Sequence, residues 1–198
     1  MFLLTGFPGT GKLTVGTALR DLLEADGETV RVVDNHWINN PILGLIDQDG
    51  ITPLPQGVWE RVGEVADAVI RTAEEFTPPS WQLIFTAYLD GVTDTGWVPR
   101  LERLASARGA IVVPVRLLCD PEEIARRIVS SERRKRMKSA DPEEPHRLAT
   151  AGPPYDPGHP NTLTLDITAM APDEAAAQIL AHAESVGRAS GQWPTANG

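Results

Sequence analysis

The sequence predicts an α/β fold: a parallel sheet of five strands with crossover helices on both faces. Two observations carry that expectation. Short apolar or β-branched runs alternate with longer helical stretches along the chain, and the first run opens directly into a glycine-rich turn followed by helix-forming residues. At 198 residues, 41% of them hydrophobic, the chain is long enough for one such domain with a proper core and too short for two comfortable ones. A single domain over residues 1–186 is expected, with a flexible tail over 187–198 that is rich in Gly, Ser, Pro, Thr and Asn.

The five strands are placed at Phe2–Thr5, Thr29–Asp34, Gln82–Thr86, Ala110–Leu118 and Thr162–Ile167, each flanked by turn or helix residues. Helices fit between them. The first runs over Lys12–Ala25 and ends near Gly27, and the second covers Val58–Glu75, with Val58, Val62, Val65, Val69 and Ala73 on one face. A third covers Val98–Arg108 and is closed by Gly109. The fourth starts at Asp120-Pro121, where Asp120 suits the N-cap and Glu122 and Glu123 suit the positive end of the helix dipole, and it runs to about Lys138. The last spans Ala171 to about Val186. Asn35–Gly57, with three prolines, and Ser139–Asn161, with six, read as long irregular connections of the kind that carry function or remain disordered.

Charge and cysteine usage exclude several classes. Eighteen Lys and Arg against 27 Asp and Glu give a net charge of −9, which disfavours bulk attraction to nucleic acid or to an anionic membrane. Cys119 is the single cysteine, so no intrachain disulfide forms. No leader-like segment precedes the first motif, and no apolar run approaches the ~20 residues that span a bilayer. A cytoplasmic monomer or homodimer is the expectation.

Gly6-Phe7-Pro8-Gly9-Thr10-Gly11-Lys12, between a strand and a helix, has the order a phosphate-cradling loop requires. Glycines let main-chain N–H groups approach phosphate oxygens, and the helix behind adds unpaired donors and an oriented dipole. Lys12 is placed to reach the β- and γ-phosphates of ATP. The position after the lysine, ordinarily a Ser or Thr that binds magnesium, is Leu13; Thr14 follows, about 100° further round the helix. Thr10, Asp34 or water is left to complete a Mg2+ shell.

In an open parallel sheet, ligands gather beyond the carboxyl ends of the strands. Strand two ends there in Asp34-Asn35-His36. Asp34 suits a base or orienting group for an acceptor hydroxyl, although Asp-Asn is also an ordinary strand-ending turn. His36, Trp37, Asn39 and Asn40 mix an aromatic plate with polar groups, as a ring-containing acceptor would need, and equally suit a surface loop. Thr86, at the end of strand three, stands where many proteins with this loop carry an acidic metal partner; Asp90 comes four residues later.

Arg126, Arg127, Arg133, Arg134, Lys135, Arg136 and Lys138 place seven of the 18 basic residues within thirteen positions. Such a cluster on a flap over about 126–160 would neutralise transition-state charge and exclude water; the bland alternative is a solvated face paired with Glu122, Glu123 and Glu132.

Together these residues resemble the shikimate-kinase and chloramphenicol-phosphotransferase-like branch of small P-loop kinases. The resemblance rests on G-F-P-G-T-G-K at 6–12, Asp34 at the end of strand two, Cys-Asp-Pro-Glu-Glu with its Arg-rich helix, and L-T-L-D-I-T before the last helix. With Asp34-Asn35-His36 and His159-Pro160-Asn161, the chain is more closely similar to a bacterial group of ATP-binding, kinase-like proteins. The resemblance implies a three-layer P-loop NTPase fold with strand order 2-3-1-4-5, an Arg-bearing lid that includes Arg127 and Arg133, and a base pocket around Asn161, Asp166 and Thr168. It implies ATP and Mg2+ as cofactors, Lys12 and Asp34 as catalytic residues, and γ-phosphoryl transfer to a hydroxyl of a small metabolite, nucleoside or antibiotic. Phosphorylation of a nucleoside monophosphate is an alternative, as is a non-catalytic ATP-dependent switch.

Overall fold

The structure, a computed structural model of the chain, describes residues 1–46, 54–89, 96–128 and 143–190. Strands β1 (Phe2–Thr5), β2 (Val30–Val33), β3 (Gln82–Ala87), β4 (Val113–Leu118) and β5 (Leu163–Asp166) form one all-parallel sheet in the order β2-β3-β1-β4-β5. The central strand β1 aligns Phe2 with Ile84 on one side and with Val113 on the other. Its four residues are all buried, which is why it reads as an unbroken apolar run.

The helices are α1 (Lys12–Ala25), α2 (Asn35–Leu43), α3 (Val58–Phe76), α4 (Trp97–Ala107), α5 (Pro121–Ile128), α6 (Glu144–Ala151) and α7 (Pro172–Ser190), with a 3-10 turn at Gly44–Ile46. Alternation along the strands divides the core. Leu3 and Phe85 pack with Ile70 of α3 and Leu101 of α4, whereas Leu4 and Val115 pack with Leu19 of α1 and Ile179 of α7. Helices therefore cover both faces, as the alternating pattern requires. A third, small cluster joins Phe7 to Ile124 and Ile128 of α5, with Tyr88 and Leu148 of α6 against it.

Four elements differ from the sequence expectation by more than a residue at a boundary. Residues 35–43, expected to be irregular, form α2, because Asp34 is an N-cap whose carboxylate accepts the His36 N–H at 3.4 Å. Pro41 sits inside that helix, which ends two residues later. The Pro-rich connection contains α6, with Pro145 in its first turn, where a missing N–H costs nothing. Strand β4 starts at Val113, not Ala110: the Ala110 N–H still closes α4 through the Ala105 carbonyl at 2.8 Å. Helix α7 continues past Val186 to Ser190, with Gly187 buried within it and Arg188 paired with Glu184 at 2.8 Å. Residues 191–198 of the expected tail, and the expected extension of α5 to Lys138, lie outside the described residues.

Candidate active site

Beyond Thr5 the chain turns through the glycine-rich loop, whose shape depends on contacts as well as on glycine freedom. Gly6 has φ +147°, and a Cβ there would lie 2.6 Å from the Leu117 carbonyl oxygen. Gly9, at φ +89°, would bring a Cβ to 2.7 Å from the side chains of both Ile124 and Ile128. Helix α5 therefore lies directly on the loop. Gly11 is the N-cap of α1, and Lys12 turns back over the loop, its Nζ donating to the Gly6 carbonyl at 2.8 Å and the Phe7 carbonyl at 2.9 Å. The ammonium is thus held on carbonyls of the loop itself. Pro8 and Leu13 are half-buried and Thr14 is exposed.

Thr10, one of the two residues expected as a metal partner, is fully buried, and its hydroxyl donates to the Phe7 carbonyl at 2.8 Å. Among the described residues, no group of three His, Cys, Asp or Glu is arranged to hold a metal ion.

Two strands away, Asp34 is 7% exposed and its Oδ1 accepts from the Thr86 hydroxyl at 3.1 Å as well as from His36 N–H. The same hydroxyl accepts the Asn35 N–H at 3.1 Å, so both of its directions are fixed. The neutral hydroxyl suits this contact. A carboxylate there would meet that of Asp34 at hydrogen-bond distance, and the two could not both ionise without mutual destabilisation. His36 and Asn40 face each other one helical turn apart, Nδ1 to Oδ1 at 3.3 Å; Asn39 is half-buried and Trp37 is 63% exposed. The loop Trp of the sequence reading is thus a helix-surface Trp beside Asp34.

At the end of β5, Asp166 Oδ1 accepts from the Thr168 hydroxyl at 2.6 Å and the Thr168 N–H at 2.9 Å. The hydroxyl bond first, then the N–H bond, holds the Asp166 carboxyl below the usual carboxylate range. Thr168 Oγ1 in turn accepts the Asp120 N–H at 2.9 Å, joining this turn to the start of α5. Cys119, between them, is half-buried, and burial pushes its thiol pKa up against the opposing effects of Arg127 and the Thr168 hydrogen bond.

Asn161 is not part of this edge. It precedes β5, donating to the Val112 carbonyl at 3.0 Å and accepting from His182 at 3.0 Å, both at the amino edge of the sheet. At about 3.3 Å per residue the strand carries it ~16 Å from Asp166. The expected base pocket therefore divides, with Asp166 and Thr168 on the phosphate-loop edge and Asn161 on the opposite one.

Arg127 also differs from a residue on an open flap. Its Nη1 donates to the Thr10 carbonyl at 3.0 Å, its Nη2 to the Ile167 and Thr168 carbonyls at 3.3 Å each, and its Nε to Glu123 at 2.7 Å. Arg126 pairs with the other Glu123 oxygen. Arg133 and the rest of the basic run, like Asp90, lie outside the described residues. Sequence reasoning overlooked Arg116, whose Nε donates to the Pro154 carbonyl at 2.8 Å and fastens the chain after α6 to the sheet. A lone arginine in an otherwise apolar strand was the available signal.

No family model matches the chain. A curated protein named "Probable adenylyl-sulfate kinase", from Aeropyrum pernix, is 36% identical over 59 residues, which cover 28% of this chain and 32% of that protein's length. Solved structures align over nearly the whole chain. A gluconokinase from Sinorhizobium meliloti 1021 matches with TM-score 0.59 and 16% identity, covering 96% of each chain. The Mycobacterium tuberculosis APS kinase in complex with AMPPNP and APS matches with TM-score 0.56 and 14% identity, covering 91% of this chain and 95% of that one. A tunicamycin resistance protein from Deinococcus radiodurans matches with TM-score 0.51 and 17% identity, over 94% and 95%. The chain has the three-layer, five-stranded fold of the small P-loop kinases.

Proposed function

We propose that the chain is an ATP-dependent phosphotransferase that moves the γ-phosphoryl group to a hydroxyl of a small molecule. The observation that carries the proposal is the alignment, along one sheet edge, of a Lys12-bearing phosphate loop after β1 and a buried, oriented Asp34 carboxylate after β2. Nucleotide use is supported by the loop sequence, by the match to an adenylyl-sulfate kinase segment, and by an ATP analogue in the complex of a fold relative.

In this proposal Gly6, Pro8, Gly9, Thr10 and Gly11 cradle the phosphates, and Lys12 leaves its carbonyl partners to follow charge onto the β- and γ-oxygens. Leu13 and Thr14 begin the helix behind the cradle, and Asp166 and Thr168 border the base. Asp34 accepts the acceptor's proton or aligns its hydroxyl for in-line attack, with His36, Trp37, Asn39 and Asn40 along the same helix bordering the acceptor. Arg133 would add positive charge from the lid. The working unit would be residues 1–190, with the whole of α7 in place of the expected end at 186, as a cytoplasmic monomer or homodimer without nucleic-acid or membrane partners.

Among the described residues, magnesium would be held through water rather than by a direct side-chain oxygen of the phosphate loop. Leu13 offers no oxygen and the Thr10 hydroxyl is committed to Phe7, which leaves the Asp34 carboxylate to hold a metal-bound water. When bound with the nucleotide, the ion neutralises β- and γ-oxygens. Leu13 and a neutral Thr86 favour a second reading, an ATP-binding module without phosphoryl transfer.

The deciding experiment incubates the protein with γ-labelled ATP, magnesium and pooled nucleosides, sugars, aminoglycosides and phenicols, beside Lys12→Ala and Asp34→Asn. Label is expected on one acceptor class, falling at least about a hundredfold in Lys12→Ala and in Asp34→Asn. Tight ATP binding with no transfer to any acceptor would decide for the module. Transfer that needs a nucleoside monophosphate would redefine the acceptor.

A further inference from the structure

Glu123 takes no part in the proposed transfer, yet it anchors an assembly that joins the two halves of the nucleotide edge. Its side chain is 17% exposed, and its Oε1 holds Arg127 Nε at 2.7 Å. The guanidinium is planar, with its N–H groups in fixed directions, so fastening Nε aims the other two nitrogens. Nη1 reaches the Thr10 carbonyl, inside the phosphate loop, and Nη2 reaches the Ile167 and Thr168 carbonyls, immediately after β5. One side chain thereby spans two segments that are far apart in sequence. The start of α5 is tied to the same place, since Asp120 caps it through Glu122 N–H at 2.9 Å while its own N–H donates to Thr168 Oγ1 at 2.9 Å.

We propose that Glu123 is a positioning residue which, through Arg127, fixes the separation between the phosphate loop and the turn after β5, and so the fit of a nucleoside polyphosphate lying across both. The inference rests on the ATP reading above. It assigns Arg127 a ground-state role: its three N–H-bearing nitrogens are committed to carbonyls and a carboxylate, so its contribution is to shape the site before the reaction begins. Without the carboxylate, Nε loses its charged acceptor and the side chain regains rotamers that break the span. ATP and ADP use the same span and would lose affinity together.

The test uses the full chain carrying Glu123→Gln, which keeps the size and one acceptor oxygen but not the charge, and Arg127→Lys, which keeps the charge but cannot bridge both segments. Fluorescent ATP and ADP analogues are expected to bind about fivefold to tenfold more weakly in both variants, with KM for ATP rising while KM for the acceptor is unchanged. In nucleotide-free protein, hydrogen exchange is expected to quicken in peptides spanning residues 6–12 and 163–170 and to stay the same in β3. Unchanged exchange in those two peptides, or a fall in kcat with ADP affinity intact, would overturn the assignment. Wild-type protein that binds neither analogue would remove the nucleotide reading, and with it this role; the exchange comparison would then still report whether Glu123 braces the two segments.

Discussion

Each edge of the sheet holds an arginine on main-chain carbonyls, and the two are built differently. At the amino edge, Arg108 is 7% exposed and donates to the Ala73, Thr77, Pro78 and Trp81 carbonyls and to the Thr77 hydroxyl, closing the turn between α3 and β3. No carboxylate among the described residues pairs with it, and burial draws its pKa below the ordinary arginine value. At the carboxyl edge, Arg127 holds three carbonyls but is about a third exposed and shares a carboxylate with Arg126. A buried charge that meets only neutral oxygens is fixed once by folding, whereas one that leans on a partly buried carboxylate can be loosened without unfolding the chain. The first arrangement suits a staple and the second suits an edge where ligands come and go.

The sharpest way to break this contrast is to remove the staple. Arg108→Ala leaves several buried carbonyls without a donor and a void at the base of the sheet, and is expected to cost at least about 3 kcal/mol in urea-monitored unfolding. Arg108→Lys, whose ammonium cannot span Ala73 and Trp81 together, is expected to recover less than half of that loss. If either variant unfolds with the wild-type midpoint, the amino edge is not stapled by Arg108 and the contrast fails.

Arg108 also shows what a sequence conceals. It closes a predicted helix beside Gly109, where a cation suits the negative end of the helix dipole, and nothing in its neighbours marks it as buried among residues some 30 positions earlier. The phosphate loop was legible because its chemistry depends on consecutive residues: glycines, a lysine and a helix start. The strand order came from the family resemblance, and the parallel sheet with its crossover helices from alternation. Asp34 was legible as a candidate, but its pairing with Thr86 was not, since register across β2 and β3 decides it. Asn161 was misplaced for the converse reason. It is seven positions from Thr168, which looks close in sequence but becomes the full height of the sheet once the chain is extended.

A smaller effect is expected from the hydroxyl that orients Asp34. Thr86→Val keeps the shape while removing the donor to the carboxylate and the acceptor for Asn35 N–H, and is expected to destabilise the fold by about 1–2 kcal/mol. Phosphoryl transfer should fall further than stability does, because Asp34 then loses the hydroxyl that orients its carboxylate. Thr86→Asp separates the two effects: it keeps an acceptor oxygen at the position but faces one carboxylate with another, so one of the pair is expected to titrate well above the usual range. A Thr86→Asp protein with improved magnesium dependence and an unshifted acid limb in its pH–rate profile would show that charge against Asp34 is not what keeps the position neutral.

The smallest effect belongs to Asp166, the exposed end of the carboxyl edge. Its carboxyl is held below the usual range by Thr168, so the folded state binds this proton less readily than the unfolded chain does. The stabilisation is therefore fully present above the unfolded value of about 3.9 and is lost as pH falls through the lower folded value. Exposure limits the size, and the difference between wild type and Asp166→Asn is expected to appear only in acid. Chemical unfolding at neutral pH and below about pH 4 measures it: wild type should lose more stability across that interval than Asp166→Asn, whose amide oxygen still accepts from Thr168 but carries no proton to gain. Parallel curves would mean that the Asp166–Thr168 turn shapes the edge through geometry alone, leaving Arg127 and its carboxylate as the adjustable charged element beside the phosphate loop.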